Sequence, residues 1–216
     1  VSGTGVFWEH LCISKSIILV GVQGDCSIID GRFTGDVITI CADEVSISGF
    51  MIQHSGAGEQ NAGIVVSGNN CSIMQNTIYD NFQGIILKQS IKNIQIVDNK
   101  ISDNGWNGIT LNSGCTGIHI FGNTIADNFY AGIGISEASN NYIYHNNFKT
   151  NRHQAYDDAA NIWDDGYPSG GNYWSDYTGF DDDGDGFGDT PYAIPEGINI
   201  DRYPLMAPYA GEDTIP

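Results

Sequence analysis

The chain has 216 residues, enough to bury a sizeable core, and it carries 26 acidic against 8 basic side chains for a formal net charge of −18. That balance argues against nucleic acid, whose phosphates are neutralised by Lys and Arg, and against anionic membranes. No run of 18 or more apolar residues occurs, so no segment reads as membrane-spanning.

The opening Val1-Ser2-Gly3-Thr4-Gly5 lacks the basic start and apolar stretch of a signal peptide. Two apolar pieces follow, Leu11-Cys12-Ile13 and Ile17-Ile18-Leu19-Val20, around the turn Ser14-Lys15-Ser16. Ser27-Ile28-Ile29-Asp30 reads as a strand between glycine-bearing turns. Asp36-Val37-Ile38-Thr39-Ile40 and Val45-Ser46-Ile47-Ser48-Gly49-Phe50 form an irregular early rung of a repeat that then becomes regular. Period-two alternation of β-branched residues bounded by Gly, Asn, Asp and Ser marks strands.

Four units open with Gly63-Ile64-Val65-Val66, Gly84-Ile85-Ile86-Leu87, Gly108-Ile109-Thr110-Leu111 and Gly132-Ile133-Gly134-Ile135, at spacings of 21, 24 and 24 residues. Each reaches an asparagine (Asn76, Asn99, Asn123, Asn146) and a second one five residues later (Asn81, Asn104, Asn128, Asn151). Such a period is too short for crossover helices and signals a solenoid whose rungs stack about 4.8 Å apart. The predicted fold is all-β: a right-handed parallel β-helix over residues 1–152, closed by an irregular C-terminal cap over 153–216. Three inward columns follow from alignment: Ile38/Ile64/Ile85/Ile109/Ile133, Ile40/Val66/Leu87/Leu111/Ile135 and Ile47/Ile73/Ile96/Ile120/Ile143. Phe50 takes the first asparagine position. The first asparagine column is expected to form a ladder at a bend, because asparagine carries donor and acceptor and tolerates a left-handed backbone.

Cys26, Cys41, Cys71 and Cys115 sit in or beside apolar strand segments with no CxxC pair, and are expected to pack in the core rather than bind metal or form disulfides. Beyond Arg152 the composition shifts to Trp, Tyr, Asp and Gly, and Trp163, Tyr173 and Trp174 are expected to cover the open end of the stack rather than hold a sugar. The residues from Pro204 onward read as extended coil.

Asp181-Asp182-Asp183-Gly184-Asp185-Gly186-Phe187-Gly188-Asp189 carries the sharpest chemical signal. Carboxylates at loop positions 1, 3, 5 and 9, with glycine at 6, match the first nine positions of an EF-hand calcium loop. Asp181, Asp183, Asp185, Asp189 and the Phe187 carbonyl are the predicted calcium ligands; Tyr192 replaces the acid of position 12, leaving Glu196 or Asp201 to close the shell. The alternative is a solvated acidic loop. Two outward columns are candidate ligand sites. Asp80, Asp103 and Asp127 offer stacked carboxylates to a cation or sugar, or are ordinary turn residues. Phe121 and Tyr144, beside His119 and Tyr142, continue the columns Ser48/Met74/Val97 and Ser46/Ser72/Gln95; they would stack on sugar rings, dock a partner or lie under the C-terminal segment. No catalytic constellation is assigned, since the five histidines are scattered. A carboxylate pair among Asp157, Asp158, Asp164 and Asp165, or an acid with Lys149 or Arg152, is the alternative for a polysaccharide hydrolase, lyase or epimerase.

The repeat around Asn93 to Ile101, with Ile96 and Asn99, resembles the parallel β-helix repeats of NosD-like proteins in the carbohydrate-binding and sugar-hydrolase (CASH) group. Ile17-Ile18-Leu19-Val20-Gly21 with Ser27-Ile28-Ile29-Asp30-Gly31 is similar to that group's entry segment. Gly170-Gly171-Asn172-Tyr173-Trp174-Ser175-Asp176-Tyr177, the acidic loop, Thr190-Pro191-Tyr192 and Asp201-Arg202-Tyr203-Pro204-Leu205 are similar to the C-terminal end of archaeal surface members. The resemblance implies a secreted or cell-surface β-helix cut from a longer chain. It also carries a name tied to periplasmic copper, for which Met51, Met74, Met206 and the dispersed histidines offer no cluster. The sequence therefore predicts a non-catalytic, calcium-stabilised extracellular module for surface structure or polysaccharide interaction. A polysaccharide-active enzyme is the alternative, copper handling a third, and the oligomeric state is open.

Overall fold

The computed structural model describes residues 5–22 and 27–211, all strands, turns and bends with no helix. Three parallel sheets run along one axis. The first has eight strands from Gly5–Phe7 to Tyr173–Trp174, the second seven from Leu11–Ile13 to His153–Asp157, and the third six from Ile18–Val20 to Tyr142–Tyr144. Within these sheets each strand pairs in parallel with its counterpart one rung away, while Tyr192–Ala193 and Ile200–Asp201 form a separate antiparallel pair in the cap. This is a parallel β-solenoid.

The three inward columns read from the repeats are in register and fully buried. A further column lines the first sheet: Ile29, Ile52, Ile78, Ile101 and Ile125, then Phe148 and Trp174. Burying each isoleucine is worth roughly 1.5–3 kcal/mol, so the isoleucine columns carry most of the stabilisation of the stack.

Asparagines bind the rungs at two bends. At the first, the amides of Phe50, Asn76, Asn99, Asn123 and Asn146 each donate to the side-chain oxygen of the ladder residue one rung later, at 2.9–3.1 Å, ending on Asn172. The same side chains donate back to Ile47, Ile73, Ile96, Ile120 and Ile143 carbonyls. The second ladder runs from Ser55 through Asn81, Asn104 and Asn128 to Asn151. The left-handed backbone expected of the asparagines belongs to the residue before each: Gln75, Asp98, Gly122 and His145 at one bend, and Asp80, Asp103, Asp127 and Thr150 at the other. Asparagine is chosen for its amide, not its backbone.

The repeated glycines have a packing cause. A Cβ on Gly84 would lie 2.3 Å from the Gly108 carbonyl oxygen, and one on Gly108 would lie 2.7 Å from that of Gly132. Only glycine lets consecutive rungs close at this corner.

Trp163 and Trp174 are buried on the last rung, with Trp174 stacked between Phe148 and Tyr192 at 4.3 and 4.1 Å. Tyr173 points outward beneath Lys149. The segment beyond Pro204 is not free coil: Leu205 bridges Tyr173 and Phe187, and Tyr209 docks on Asn147. Cys71 and Cys115 are buried as expected, but Cys41 is exposed, because it follows the inward Ile40 and the side-chain alternation turns it out. Cys26 lies outside the described residues.

Candidate functional site

An open cleft of about 580 Å³ runs along the first bend, where the third sheet turns into the first. Gln75, Asp98 and Gly122 line it from successive rungs, with Lys100, Thr124 and Asn147 on the adjoining strands and Tyr209 forming the far wall. Gly122 opens the notch. A Cβ there would come within 2.1 Å of Asp98 Oδ1, and its left-handed φ of 70° also suits glycine. Tyr209 is held in place by a paired amide contact: its N–H donates to Asn147 Oδ1 at 2.7 Å, and Asn147 Nδ2 donates to its carbonyl at 2.9 Å. Its ring stacks on His145 at 4.3 Å. Among the described residues, the C-terminal segment thus straps the last rungs and reaches the cleft through Tyr209, Ala210 and Gly211.

Beside the cleft, the predicted outward columns exist in register, Ser46/Ser72/Gln95/His119/Tyr142 and Ser48/Met74/Val97/Phe121/Tyr144. His119 stacks on Tyr142 at 4.7 Å, and Phe121 on Tyr144 at 5.4 Å with nearly parallel rings. Their faces are turned to each other, so the surface offers ring edges. Burial, then the charges of Asp165 and Tyr209, pushes the Tyr144 hydroxyl above its usual range. Asp80, Asp103 and Asp127 are exposed and share left-handed φ values of 52–57°, the geometry of a turn residue. Thr150 donates to Asp127, extending that column by one rung.

In the acidic loop, carboxylate oxygens of Asp181, Asp183 and Asp185 lie within 4.8 Å of one another. Asp181 accepts the N–H groups of Gly184, Asp185 and Gly186. Desolvation is the largest single influence and opposes its ionisation, but those amides together hold its carboxyl below the usual range. Asp183 goes the other way: the Asp185 amide lowers it, yet desolvation and the neighbouring Asp185, Asp189 and Asp181 charges push it up. Asp189 stands apart, accepting the Asp182 amide at 2.7 Å. Phe187 bridges Leu205, fixing the loop to the cap. Asp201 cannot close the shell, being buried against Asn172 and Trp174, and Tyr192 stacks on Trp174.

The carboxylates weighed as a hydrolytic pair are tied into the cap. Asp157 is buried and accepts the Trp163 indole, Asn161 and the Ala159 amide; burial raises its carboxyl against those bonds. Asp164 is held by Arg202 through two side-chain bonds; against desolvation these keep its carboxyl low.

Two constellations escape a repeat-based reading. Phe82, Trp106 and Tyr130 stack along the second bend, with Trp106 and Tyr130 at 4.3 Å, because one- and two-residue offsets from their asparagines hide the alignment. On the outer face of the second sheet, Gln83, Thr110, Asn107 and Tyr156 form one hydrogen-bonded network. Its members are regular strand positions whose polarity was the available signal.

Among the described residues no helix is long and apolar enough to cross a membrane. No curated protein sequence matches the chain significantly. Residues 34–179 match a family model described as periplasmic copper-binding protein (NosD). That match covers more than half of the chain and spans the regular rungs and the start of the cap, so the chain belongs to the NosD family of parallel β-helix proteins.

Proposed function

We propose that the chain is an extracytoplasmic, non-catalytic β-helix module, stabilised by calcium in its acidic loop, that holds a polysaccharide along the cleft at the first bend. The observation that carries this reading is the cleft itself: amide, carboxylate, ammonium and hydroxyl groups from three rungs line an open trough flanked by stacked aromatic rings. Sugar recognition needs that mixture, with hydroxyls paired by planar polar groups and C–H faces resting on apolar edges. Asp80, Asp103 and Asp127 on the other bend offer a second row of acceptors. The oxygen-only donors of Asp181, Asp183 and Asp185 suit a hard cation such as calcium. An outer-surface or periplasmic location agrees with the acidic charge and with the family description.

Enzyme action has less support, since Asp157 and Asp164 are engaged in structural bonds. Affinity electrophoresis through a polysaccharide panel tests the reading. Retardation of the wild type that Asp98→Ala and Lys100→Ala both weaken supports it, and equal mobility of all three on every polysaccharide overturns it. Release of reducing or unsaturated ends would move the assignment to catalysis.

A further inference from the structure

Asn70-Cys71-Ser72 is the one place in the sequence where Ser or Thr stands two residues after an asparagine, with a residue other than proline between them. Elsewhere the hydroxyl residue follows its asparagine directly, as in Asn76-Thr77, Asn112-Ser113 and Asn123-Thr124. The spacing matters because side chains alternate along an extended chain. Asn70 is exposed and Ser72 belongs to the outward column of the third sheet, whereas Cys71 between them is buried. Amide and hydroxyl therefore share the outer face. Asn70 also uses its amide differently from the ladder asparagines. It sits on the bend between the second and third sheets with a left-handed φ of 55°, which asparagine tolerates. Its backbone N–H donates to the Lys92 carbonyl at 3.1 Å, and its Oδ1 accepts from Asn93 Nδ2 at 3.0 Å. Among the described residues its Nδ2 donates to nothing, whereas the fully buried Asn123 commits its Nδ2 to Ile96, Phe121 and Asn146.

We propose that Asn70 is the acceptor of an N-linked glycan. The co-substrate is an oligosaccharide joined through its anomeric carbon to a lipid phosphate, and a separate transferase reads the Asn-x-Ser/Thr signal. The bond from Asn70 Nδ2 to the anomeric carbon forms as that carbon's bond to the phosphate oxygen breaks. The lipid phosphate leaves with the bonding pair, one amide proton passes to a base of the transferase, and no oxidant or reductant is involved. The linked amide keeps its carbonyl oxygen and one N–H, so the bond from Asn93 survives and the rung needs no rearrangement. A glycan is bulky and hydrated, which restricts it to an exposed turn of this kind. It would project from the opposite edge of the third sheet to the cleft, because the cleft residue Gln75 lies beyond the strand Ser72–Met74. The inference rests on the extracytoplasmic location proposed above and is independent of the cleft and of the calcium loop.

The test is intact-mass and peptide mass spectrometry of the full chain secreted from cultured eukaryotic cells, whose transferase reads the same signal. The wild type is expected to carry one glycan per chain, and its enzymatic release as the glycosylamine should leave an aspartate at position 70. Asn70→Gln and Ser72→Ala should each lose the whole glycan while keeping the wild-type circular dichroism spectrum, and Ser72→Thr should retain it. Secretion of the folded wild type without a glycan, or a glycan that persists in either Asn70→Gln or Ser72→Ala, overturns the proposal. Either result leaves the polysaccharide reading to its own electrophoretic test.

Discussion

The backbone amide of Asn172 donates to Asp201 Oδ2 at 2.7 Å, so Asp201 occupies the place that a further ladder asparagine would take. The same oxygen accepts the Trp174 indole at 2.8 Å, and Oδ1 accepts the Tyr203 amide at 3.1 Å. Burial dominates and pushes the carboxyl up to about 6, against the three hydrogen bonds that favour its ionised form.

A pH dependence follows from that residue. Its folded pKa lies above the ordinary 3.8, so its stabilising contribution is complete below about pH 4 and is lost as pH rises through about 6. The loss amounts to on the order of 3 kcal/mol between those limits. Asp201→Asn keeps the oxygen and removes the ionisation. Urea unfolding at pH 4.5 and 7.5 should show the stability difference between variant and wild type shifting toward the variant at the higher pH; a constant difference contradicts the assignment.

Removing a ladder rung is expected to be severe. Asn123 is fully buried, accepts from the backbone and side chain of Asn99, and donates to the Ile96 and Phe121 carbonyls. Asn123→Ala strands those groups at roughly 1–3 kcal/mol each, so the variant should unfold at markedly lower denaturant or fail to accumulate. Asn123→Asp keeps the acceptors, loses the donors and buries a charge, and should be no better.

Two glycines provide a matched pair. Gly84→Ala drives a methyl into the Gly108 carbonyl at 2.3 Å, whereas a Cβ on Gly105 meets nothing nearer than 3.7 Å. The first change should cost about 1–3 kcal/mol by overpacking and the second close to nothing. Thermal melting decides it, and equal melting temperatures would remove close rung approach as the reason for the glycine.

Calcium should raise the melting temperature, and a chelator should reverse the effect. At a free concentration a hundredfold above the dissociation constant the gain is about 2.7 kcal/mol. Asp183→Asn should abolish the response, since that carboxyl is crowded by Asp185, Asp189 and Asp181 and is relieved most by a cation. A wild-type melt indifferent to chelator, with no calcium bound, would leave the loop a solvated turn.

The legible parts of this chain are those that repeat. Ile38, Ile40 and Ile47 announce inward columns because each recurs in apolar pairs at one period, and Asn76 or Asn81 announces a ladder in the same way. The Ile52/Ile78/Ile101/Ile125 column is harder to see, since each three- or four-residue strand there shows one strictly inward isoleucine close to its asparagines. Cys41 misleads because its apolar character suggests the core, whereas the alternation that points Ile40 inward turns it out. The cleft depends on Tyr209 reaching Asn147 across 62 positions, and the last ladder member is an aspartate, neither of which any period encodes. The acidic loop is local, so its three converging carboxylates could be named, but Asp201 could not be excluded from its shell without knowing what buried it.

The asparagine ladder also has a direction in time. Each backbone amide along it is completed by an oxygen synthesised about one period later, and each new asparagine fastens back onto a carbonyl already made. A chain emerging from its amino end is therefore always one turn short of completion, and every added turn locks the previous one. Asp201 brings this to a halt, because a carboxyl group accepts the last amide but has no amide hydrogens to hand to a further rung. The ladder thus has an end built into it, in a single exchange of amide for acid.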